Sequence, residues 1–505
     1  MTSTTAPRER VAALVARLGR WSTGRGPLYL LLAARFRQLI DEGVLRPGTA
    51  LPPDRALASA LAVGRTTVVA AYEALRQEGR IVRRQGSGTR VADVALAPPD
   101  ERLAAGDATS NPLFLHLLEP PDGVILLSCA SPEGAPPEVA RAYAGITFPA
   151  ADLGYHPAGH PALRAALADR FTARGLPTGP ERILVTTGAQ QALSLLTRHL
   201  VAPGDPVLVE APTYPGALDL FREAAGVPLP VPTGPEGVDV AVAVRMMAAH
   251  RPAFAYVISR FQNPTGGVLP PLPARRLAAA AREHGVPLVD DEVLAELPLH
   301  HEEFTGPPPL AAQDGAGDVL TIGSLSKVVW GGLRIGWLRG PAPLVARLAR
   351  LKAVHDLGTD VPAQLAAVEL IAGLDALRAR RVRELRARHD HLRAELTRNL
   401  PSWHCPPVRG GQTLWARLPQ GDAVAFAQVA LRHGVAVLPG AVVDPTGAST
   451  RCLRLHFLSS PAELTEAVRR LATAWRSYSA EPYSVESPHG LDRAGRTPEA
   501  VDARR

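Results

Sequence analysis

Hydrophobic residues near the start of the chain recur at the spacing of an amphipathic helix. Within residues 27–45 they share one helical face, and they are Leu28, Leu31, Leu32, Phe36, Leu39 and Ile40. Proline and glycine interrupt this pattern in "RPGTALPPD", after which helical patterns return in "PDRALASALA" (53–62) and "TTVVAAYEALRQEG" (66–79). Two β-like segments, 80–84 and 89–93, then flank a glycine-rich tip at 86–88. The predicted order is helix, helix, turn, helix, hairpin.

The rest of the chain alternates strand-like and helix-like segments. The strand-like segments are short and apolar: "RILVTTG", "DPVLVE", "AYVIS", "VPLVDDE" and "DVLTIGSLSK". The helical segments between them include "AQQALSLLTRHL", "YPGALDLFREAAG" and "RRLAAAAREHG". This alternation predicts an α/β fold with a largely parallel, buried sheet, and such sheets bind ligands at the carboxyl ends of their strands.

Length and composition place the chain among multidomain globular proteins. At 505 residues it is too long for one hydrophobic core. No apolar run reaches the roughly 18 residues of a membrane span, and no secretory signal is visible, so we expect a cytoplasmic protein. The three cysteines, Cys129, Cys405 and Cys452, are too few and too far apart for a disulfide framework or a zinc cluster, and we expect no metal.

Charge is distributed unevenly along the chain. Residues 1–95 contain fifteen arginines, no lysine and seven acidic residues, a net charge of +8, whereas the whole chain carries +7. A small basic module therefore precedes a large, nearly neutral one. This asymmetry is typical of a protein that binds a polyanion.

The helix–turn–helix–hairpin order and the basic charge together predict a winged helix-turn-helix that binds DNA. Arg65, Thr66 and Thr67 open the third helix, where hydroxyls and free amides can meet phosphates or base edges. Arg55 opens the second helix and could hold the DNA backbone. In the hairpin, glycines would allow close approach to DNA and arginines would meet phosphates, these residues being Gly86, Gly88, Arg83, Arg84 and Arg90. Taken singly, each residue also fits a cap, a turn or a solvated surface position.

The linear pattern of this module resembles the DNA-binding module of the GntR family of bacterial regulators. The resemblance covers residues 27–92 and runs through "LP..R.LA..L.V.R.TV..AYE.L..EG". It implies DNA contacts by Arg55, Arg65, Thr66 and Thr67, and a wing that contains Gly86. Val69 stands where some members carry another contacting arginine, so base specificity does not carry over.

One lysine stands out in the large module. Lysine occurs only at Lys327 and Lys352, so 53 of the 55 basic residues are arginine. Lysine can lose its proton when desolvated and then attack a carbonyl, which arginine cannot do. Lys327 lies in "GSLSKVVWGGLRIGW" with Ser324 and Arg334 close by in sequence. A reactive amine, a hydroxyl and a fixed cation therefore occur in one short segment.

Other polar residues follow the predicted strands. "TTGAQQAL" offers the free helix amides of Ala189 and Gln190, which suit a phosphate. "VDDEV" ends an apolar strand with Asp291, where a carboxylate needs a partner. "QNPTGG" offers the amide of Asn263, and "RCLRLHF" places Arg454 where it could pair with a carboxylate.

These residues and their order resemble the fold-type I aminotransferases over residues 124–475. The resemblance implies that pyridoxal phosphate forms a Schiff base with Lys327, with Asp291 at its ring nitrogen and Asn263 at its phenolic oxygen. It places Tyr214, in "APTYPG", against the ring. It further implies phosphate contacts by Ala189, Gln190, Ser324 and Arg334, a contact by Tyr155 to the phosphate of the partner subunit, and a substrate-carboxylate role for Arg454.

Two features leave alternatives open. The family usually has a tyrosine shortly after the aspartate, and this chain has Val293 there, which puts efficient transamination in doubt. The "DDE" alignment could also slip by one residue, which would make Asp290 the ring-nitrogen partner.

The combined arrangement resembles the MocR-type transcription regulators. We predict an extension at 1–26, a winged helix-turn-helix at 27–93, a linker at 94–123, an aminotransferase-like domain at 124–478 and a disordered tail at 479–505. The resemblance implies a homodimer that binds operator DNA and senses an amino-compound effector through pyridoxal phosphate. The alternatives are an active aminotransferase with an appended module, and a regulator that has lost the cofactor.

Overall fold

The computed structural model describes most of the chain in several stretches. These are residues 7–19, 21, 28–41, 44–46, 48–77, 80–84, 88–91, 123–130, 134–148, 150–299, 309–313 and 318–480. The predicted linker, apart from residue 123, lies outside the described residues, as do Gly86 and all but the first two residues of the predicted tail. Within the described residues no helix is both long and apolar enough to cross a bilayer.

The N-terminal module contains four helices and a three-stranded sheet. The helices are α1 (Pro7–Leu18), α2 (Leu28–Asp41), α3 (Asp54–Leu61) and α4 (Arg65–Gln77). The strands are β1 (Ala50–Leu51), β2 (Ile81–Arg84) and β3 (Gly88–Val91), which form an antiparallel sheet in the order β1-β3-β2. The predicted order of helices and hairpin is confirmed, and β1 adds a strand that the sequence pattern did not indicate.

The first helix belongs to the core of this module. Leu14 and Leu18 of α1 are buried in the same cluster as Leu32 and Phe36 of α2. The Arg35 guanidinium of α2 donates to the carbonyl of Leu18 at 3.1 Å, and it also bonds a second carbonyl in the last turn of α1. A cation at a helix C-terminus satisfies carbonyls that have no partner within the helix. The predicted extension at 1–26 therefore contains a helix that packs against the module.

An eight-stranded sheet organises the large module. Its strands are β5 (Ile183–Thr186), β6 (Pro206–Ala211), β7 (Val227–Gly234), β8 (Gly237–Val238), β9 (Phe254–Val257), β10 (Leu288–Asp291), β11 (Leu320–Ser324) and β12 (Gly336–Arg339). Their order is β5-β12-β11-β10-β9-β6-β7-β8. β12 runs antiparallel to both neighbours and β8 to its one neighbour, while the other pairs are parallel. The predicted α/β fold with a largely parallel sheet is confirmed.

Helices cover this sheet, as buried apolar strands require. They are α5 (Pro137–Ala144), α6 (Pro161–Ala173), α7 (Ala189–Leu200), α8 (Pro215–Glu223), α9 (Val240–His250), α10 (Pro271–Glu283), α11 (Leu310–Gln313), α12 (Ala342–Asp356) and α13 (Val361–Ala372). Two separate clusters of buried side chains form the core of this module. Strands such as β5, β9 and β10 are buried at every position, and each contributes side chains to both clusters.

A smaller layer follows in sequence. Helix α14 (Leu374–Asn399) leads into strands β13 (Thr413–Arg417), β14 (Val435–Ala436), β15 (Leu438–Pro439) and β16 (Cys452–His456), with helices α15 (Ala423–Arg432) and α16 (Pro461–Ala480). β16 lies between β13 and β15, and β14 pairs with β4 (Ile125–Leu126) from the start of the large module. This pairing brings residues 125–130 beside the C-terminal layer.

The direction of the central strands places the predicted ligand residues at one edge of the sheet. β5, β9, β10 and β11 run the same way, because β12 is antiparallel to both β5 and β11. Their carboxyl ends are Thr186, Val257, Asp291 and Ser324. The segments that follow these ends carry most of the residues predicted to bind a ligand.

Candidate functional site

Lys327 lies three residues beyond the end of β11 and is half-buried. Its Nζ donates a hydrogen bond to the carbonyl oxygen of Ala130 at 2.5 Å. Burial lowers the pKa of Lys327 to about 8, and the Arg454 guanidinium acts in the same direction, while Asp291 opposes the change. About a tenth of this amine is therefore neutral at pH 7, far more than for an ordinary lysine, and the neutral form is the one that acts as a nucleophile.

Asp291 and Asp290 have different surroundings. The Tyr256 hydroxyl donates to Asp291 Oδ2 at 2.6 Å, and the Val293 amide donates to its Oδ1 at 3.1 Å. Asp290 instead accepts from the amide and the hydroxyl of Ser259, at 3.1 and 2.9 Å. Adjacent residues of a strand point to opposite faces of the sheet. Burial raises the pKa of Asp291, and the Lys327 ammonium opposes that rise, so Asp291 is the carboxylate that Lys327 influences.

The turn formed by Thr187 and Gly188, the N-terminus of helix α7 and the side chain of Arg334 together form a cup beside Lys327 and Asp291. Helix α7 begins at Ala189, and its N-cap, Gly188, supplies no side-chain oxygen to the first amides. Arg334 donates to the carbonyl of Thr187. Gly188 has a φ of +122°, and a Cβ there would lie 2.9 Å from Arg334 Nη2, so only glycine allows this close approach. Uncapped amides next to a cation are suited to bind an anion.

Two further predicted residues border this cup. Ser324 Oγ lies 2.9 Å from Ser326 Oγ and donates to the Ile335 carbonyl at 3.0 Å. Gln190 Nε2 donates to the Gly216 carbonyl at 3.0 Å, which links α7 to the start of α8. Of the predicted phosphate-binding residues, Ser324 and Gln190 are thus held by bonds within the chain.

Arg454 joins distant segments. Its Nη1 donates to Asn263 Oδ1 at 3.2 Å and its Nη2 to the Ser128 carbonyl at 2.5 Å, across 191 and 326 positions of sequence. The side chain is only 2% exposed, and burial lowers its pKa to about 10. Among the described residues no acceptor bonds its Nε–H. A buried donor without an acceptor is costly, so this atom is suited to a ligand.

Tyr214 completes the group. It lies at the N-cap of α8, and burial raises its pKa to about 12, with the charge of Asp291 as the second cause. Arg454 and Cys129 also act on this hydroxyl. The structure therefore brings Lys327, Asp291, Tyr214 and Arg454 close enough for their charges to interact, and this group of side chains is called the pocket below.

Two pocket residues, Tyr256 and Cys129, carry no signal in the sequence that would predict their place. Tyr256 lies within the apolar strand β9, where nothing in the pattern distinguished it from a core aromatic, yet its hydroxyl holds Asp291. Cys129 lies next to Ala130, and burial raises its thiol pKa while Lys327 and Arg454 lower it. Val293, where the family usually has a tyrosine, packs against the hydrophobic cluster of the sheet.

Tyr155 lies outside this pocket within one chain. Its side chain is 68% exposed, on the segment before α6. Among the described residues, no hydrogen bond connects it to a pocket residue. An exposed tyrosine is compatible with the predicted contact across subunits.

A polar cluster that the sequence did not indicate lies beside Tyr155. Asp152 Oδ1 lies 2.9 Å from His156 Nε2, and Asp152 Oδ2 lies 3.6 Å from His160 Nε2. The Ala162 amide donates to His160 Nδ1 at 3.2 Å, so a neutral His160 carries its proton on Nε2. A metal would need that nitrogen unprotonated. We therefore interpret this cluster as two imidazoles that share one carboxylate.

The predicted DNA contacts of the N-terminal module lie at two helix starts. Arg55 is in the first turn of α3, and Arg65, Thr66 and Thr67 form the first turn of α4. All are exposed except Thr67, which is half-buried. Arg65 Nε donates to Asp54 Oδ2 at 2.8 Å, which brings the two helix starts together. The bonded nitrogen is Nε, and no hydrogen bond among the described residues engages Nη1 or Nη2.

The wing is described only in part. The backbone of β2 and β3 is present, but Gly86 and the side chains of Arg83 and Arg84 lie outside the described residues. Arg90 Nη1 donates to the Gly48 carbonyl at 3.0 Å, so this arginine is engaged with the protein backbone.

Comparisons with known proteins agree with both halves of this description. The family "Aminotransferase class I and II" matches residues 123–471, and "Bacterial regulatory proteins, gntR family" matches residues 28–91. The chain is 29% identical to the HTH-type transcriptional regulator YisV of Bacillus subtilis, over 87% of this chain and 94% of that protein. It is 31% identical to the probable rhizopine catabolism regulatory protein MocR of Rhizobium meliloti, over 75% and 78% of the two chains.

A solved structure extends the comparison. It is LysN, the α-aminoadipate aminotransferase of Thermus thermophilus, complexed with N-(5'-phosphopyridoxyl)-L-leucine. The match has a TM-score of 0.66 and 31% identity, and it covers 73% of this chain and 95% of that one. The matched family and this neighbour imply a fold that binds pyridoxal phosphate.

Proposed function

Since this chain belongs to the MocR-type regulators, in which a GntR-family DNA-binding module precedes an aminotransferase class I and II domain, we propose that it senses an amino compound through bound pyridoxal phosphate. The observation that carries this proposal is the half-buried Lys327 amine, with its pKa of about 8, in a pocket with Asp291. When bound, the cofactor supplies an aldehyde for covalent attachment and a ring that withdraws electrons.

The pocket residues have complementary roles in this proposal. Lys327 would hold the aldehyde carbon, and Asp291, itself held by Tyr256, would keep the ring nitrogen protonated. Tyr214 would lie against the ring, and Asn263 would face the phenolic oxygen. The cup would bind the phosphate through the residues named from the sequence: Ala189, Gln190, Ser324 and Arg334. The uncapped amides of α7 support the phosphate assignment, and the unpartnered Arg454 Nε–H supports the binding of a ligand in this pocket.

Arg454 would recognise the carboxylate of the effector. Its Nη atoms now bond Asn263 and the Ser128 carbonyl, so an incoming carboxylate would replace neutral acceptors with a charged one. Ser128 lies just after β4, which pairs with β14 of the C-terminal layer. Effector binding would therefore act on the contact between the two layers. The effector can change the free energy of DNA binding by no more than the difference between its own binding free energies for the two conformations of the regulator, one that binds DNA well and one that binds it poorly.

The second candidate function is an active aminotransferase. The 31% identity to LysN and the near-complete set of pocket residues favour it. Val293 in place of the usual tyrosine and the net charge of +8 on residues 1–95 favour the regulator.

A two-step experiment separates these functions. DNA fragments retained by the purified protein are sequenced, and the affinity for that DNA is then measured with and without amino acids and other small amines. We expect one class of amine to change the affinity only when pyridoxal phosphate is present. Turnover of an amino acid and keto acid pair at ordinary enzyme rates, with DNA affinity unchanged by every amine, would instead establish the aminotransferase.

We also propose a homodimer in which Tyr155 reaches the phosphate of the partner subunit. Its 68% exposure in one chain supports this role. Mixing Tyr155→Phe protein with Lys327→Ala protein tests it, provided that subunits exchange. In a mixed dimer one site then carries both defects and the other carries neither, so half of the sites should bind the cofactor normally. A monomer with full affinity for cofactor and operator contradicts the proposal.

A further inference from the structure

The second lysine of the chain is buried completely. Lys352 lies on α12 with 0% exposure, in a sequence that uses arginine at 53 of its 55 basic positions. Its Nζ donates to Asp356 Oδ1 at 2.9 Å, one helical turn further along. A buried ammonium is stable only where a hydrogen-bonded partner of opposite charge offsets the free-energy cost of its desolvation.

The bond from Lys352 continues into the phosphate cup. Asp356 Oδ2 accepts from Gln191 Nε2 at 2.8 Å, and Gln191 Oε1 accepts from the Thr187 amide at 2.9 Å. The Thr187 carbonyl in turn accepts from Arg334. Four consecutive hydrogen bonds thus connect a buried lysine to the arginine of the cup.

Charge is balanced along this series. Burial lowers the pKa of Lys352, and the Asp356 carboxylate opposes that change. Burial alone would raise the pKa of Asp356, but its bonds to Lys352 and Gln191 outweigh the effect and its pKa is lowered. The pair therefore stays charged, and Asp356 presents an ionised oxygen to Gln191. A charged acceptor orients the Gln191 amide more firmly than a neutral one.

We propose that Lys352, Asp356 and Gln191 are positioning residues for the phosphate cup. They fix the Thr187 peptide, and with it the first turn of α7 and the acceptor for Arg334, without touching the ligand themselves. This inference rests on the proposed binding of pyridoxal phosphate. It adds three residues to the site that the sequence did not indicate.

The test compares two ligands that differ only in the phosphate. Affinities of the full-length protein for pyridoxal phosphate and for pyridoxal are measured by absorbance titration, for the wild type and for Lys352→Met. We expect about a tenfold loss for pyridoxal phosphate, equivalent to about 1.4 kcal/mol, and less than a twofold change for pyridoxal. Arg347→Met is the matched control, because it removes an exposed charge from the same helix, and it should change neither affinity.

A second variant guards against a folding defect in Lys352→Met. Gln191→Glu keeps an acceptor for the Thr187 amide but places a carboxylate against Asp356, so it should show the same selective loss. Equal losses for both ligands, or no loss for either, in a folded variant would overturn the positioning role. If the wild type binds neither ligand, the proposed function itself fails, which is a separate outcome.

Discussion

The DNA-binding module and the proposed cofactor pocket present their charged side chains in opposite ways. On the module, Arg55 and Arg65 are exposed, and the ion pair between Arg65 and Asp54 spans only 11 positions of sequence. In the pocket, Lys327 and Arg454 lie where burial changes their pKa values, and their partners lie 191 to 326 positions away. Exposed charges act nearly independently and are screened by salt. Buried charges depend on one another, because each unpaired group costs the full desolvation free energy.

The largest effect is expected for Lys327→Ala. This substitution should abolish the absorption band of covalently bound cofactor and any cofactor adduct that borohydride reduces. The reason is that, among the residues that the structure describes, no other lysine lies in the pocket. Lys327→Arg should fail equally, since arginine keeps the charge but supplies no neutral amine. Lys352→Ala, at saturating cofactor, should keep the band. A reducible adduct that persists in Lys327→Ala would show that another residue holds the cofactor.

The next effect concerns pH and the cofactor-free protein. The pKa of Lys327 is lowered from 10.5 to about 8, so between these values the unfolded state binds more protons than the folded state. The free energy of unfolding should therefore rise with pH across this window, by up to about 3 kcal/mol. Urea unfolding at a series of pH values measures this rise. Lys327→Met should lack it, and equal slopes for both proteins would mean that burial does not perturb this amine.

On the DNA module, Arg65→Ala should cost about 1–3 kcal/mol of binding free energy at the operator and relax specificity at one base pair.

Asp54 holds Arg65 Nε and leaves its Nη atoms for a base edge. Asp54→Asn should therefore also reduce specificity, while binding to random DNA should strengthen because a carboxylate near the phosphates is lost. Titrations with operator and random DNA measure both effects. If Arg65→Ala lowers the affinity for operator and random DNA equally, Arg65 contacts a phosphate and not a base.

Arg55→Ala should give the smallest effect. If the exposed Arg55 contacts a phosphate as predicted, its loss should weaken binding evenly across sequences and reduce the slope of log affinity against log salt by about 0.9. We expect the same of Arg83→Ala and Arg84→Ala from their position in the sequence. A change in base preference for Arg55→Ala would remove the distinction between it and Arg65.

Local patterns were enough to predict the winged helix-turn-helix, the parallel sheet and most candidate residues. Helical periodicity, glycine and proline positions and the scarcity of lysine are properties of short segments. They therefore located residues such as Arg65, Asn263 and Lys327 without any knowledge of which segments meet.

Only the tertiary structure decided which residues share a pocket. It separated Asp291 from Asp290, because adjacent strand residues face opposite sides of the sheet and different partners lie on each side. It also brought Tyr256 to Asp291 and joined Lys352, through a series of hydrogen bonds, to the cup that contains Arg334. These contacts depend on strand order and helix packing across long sequence distances. An apolar strand or an amphipathic helix has the same pattern whether or not one of its polar atoms reaches a ligand site.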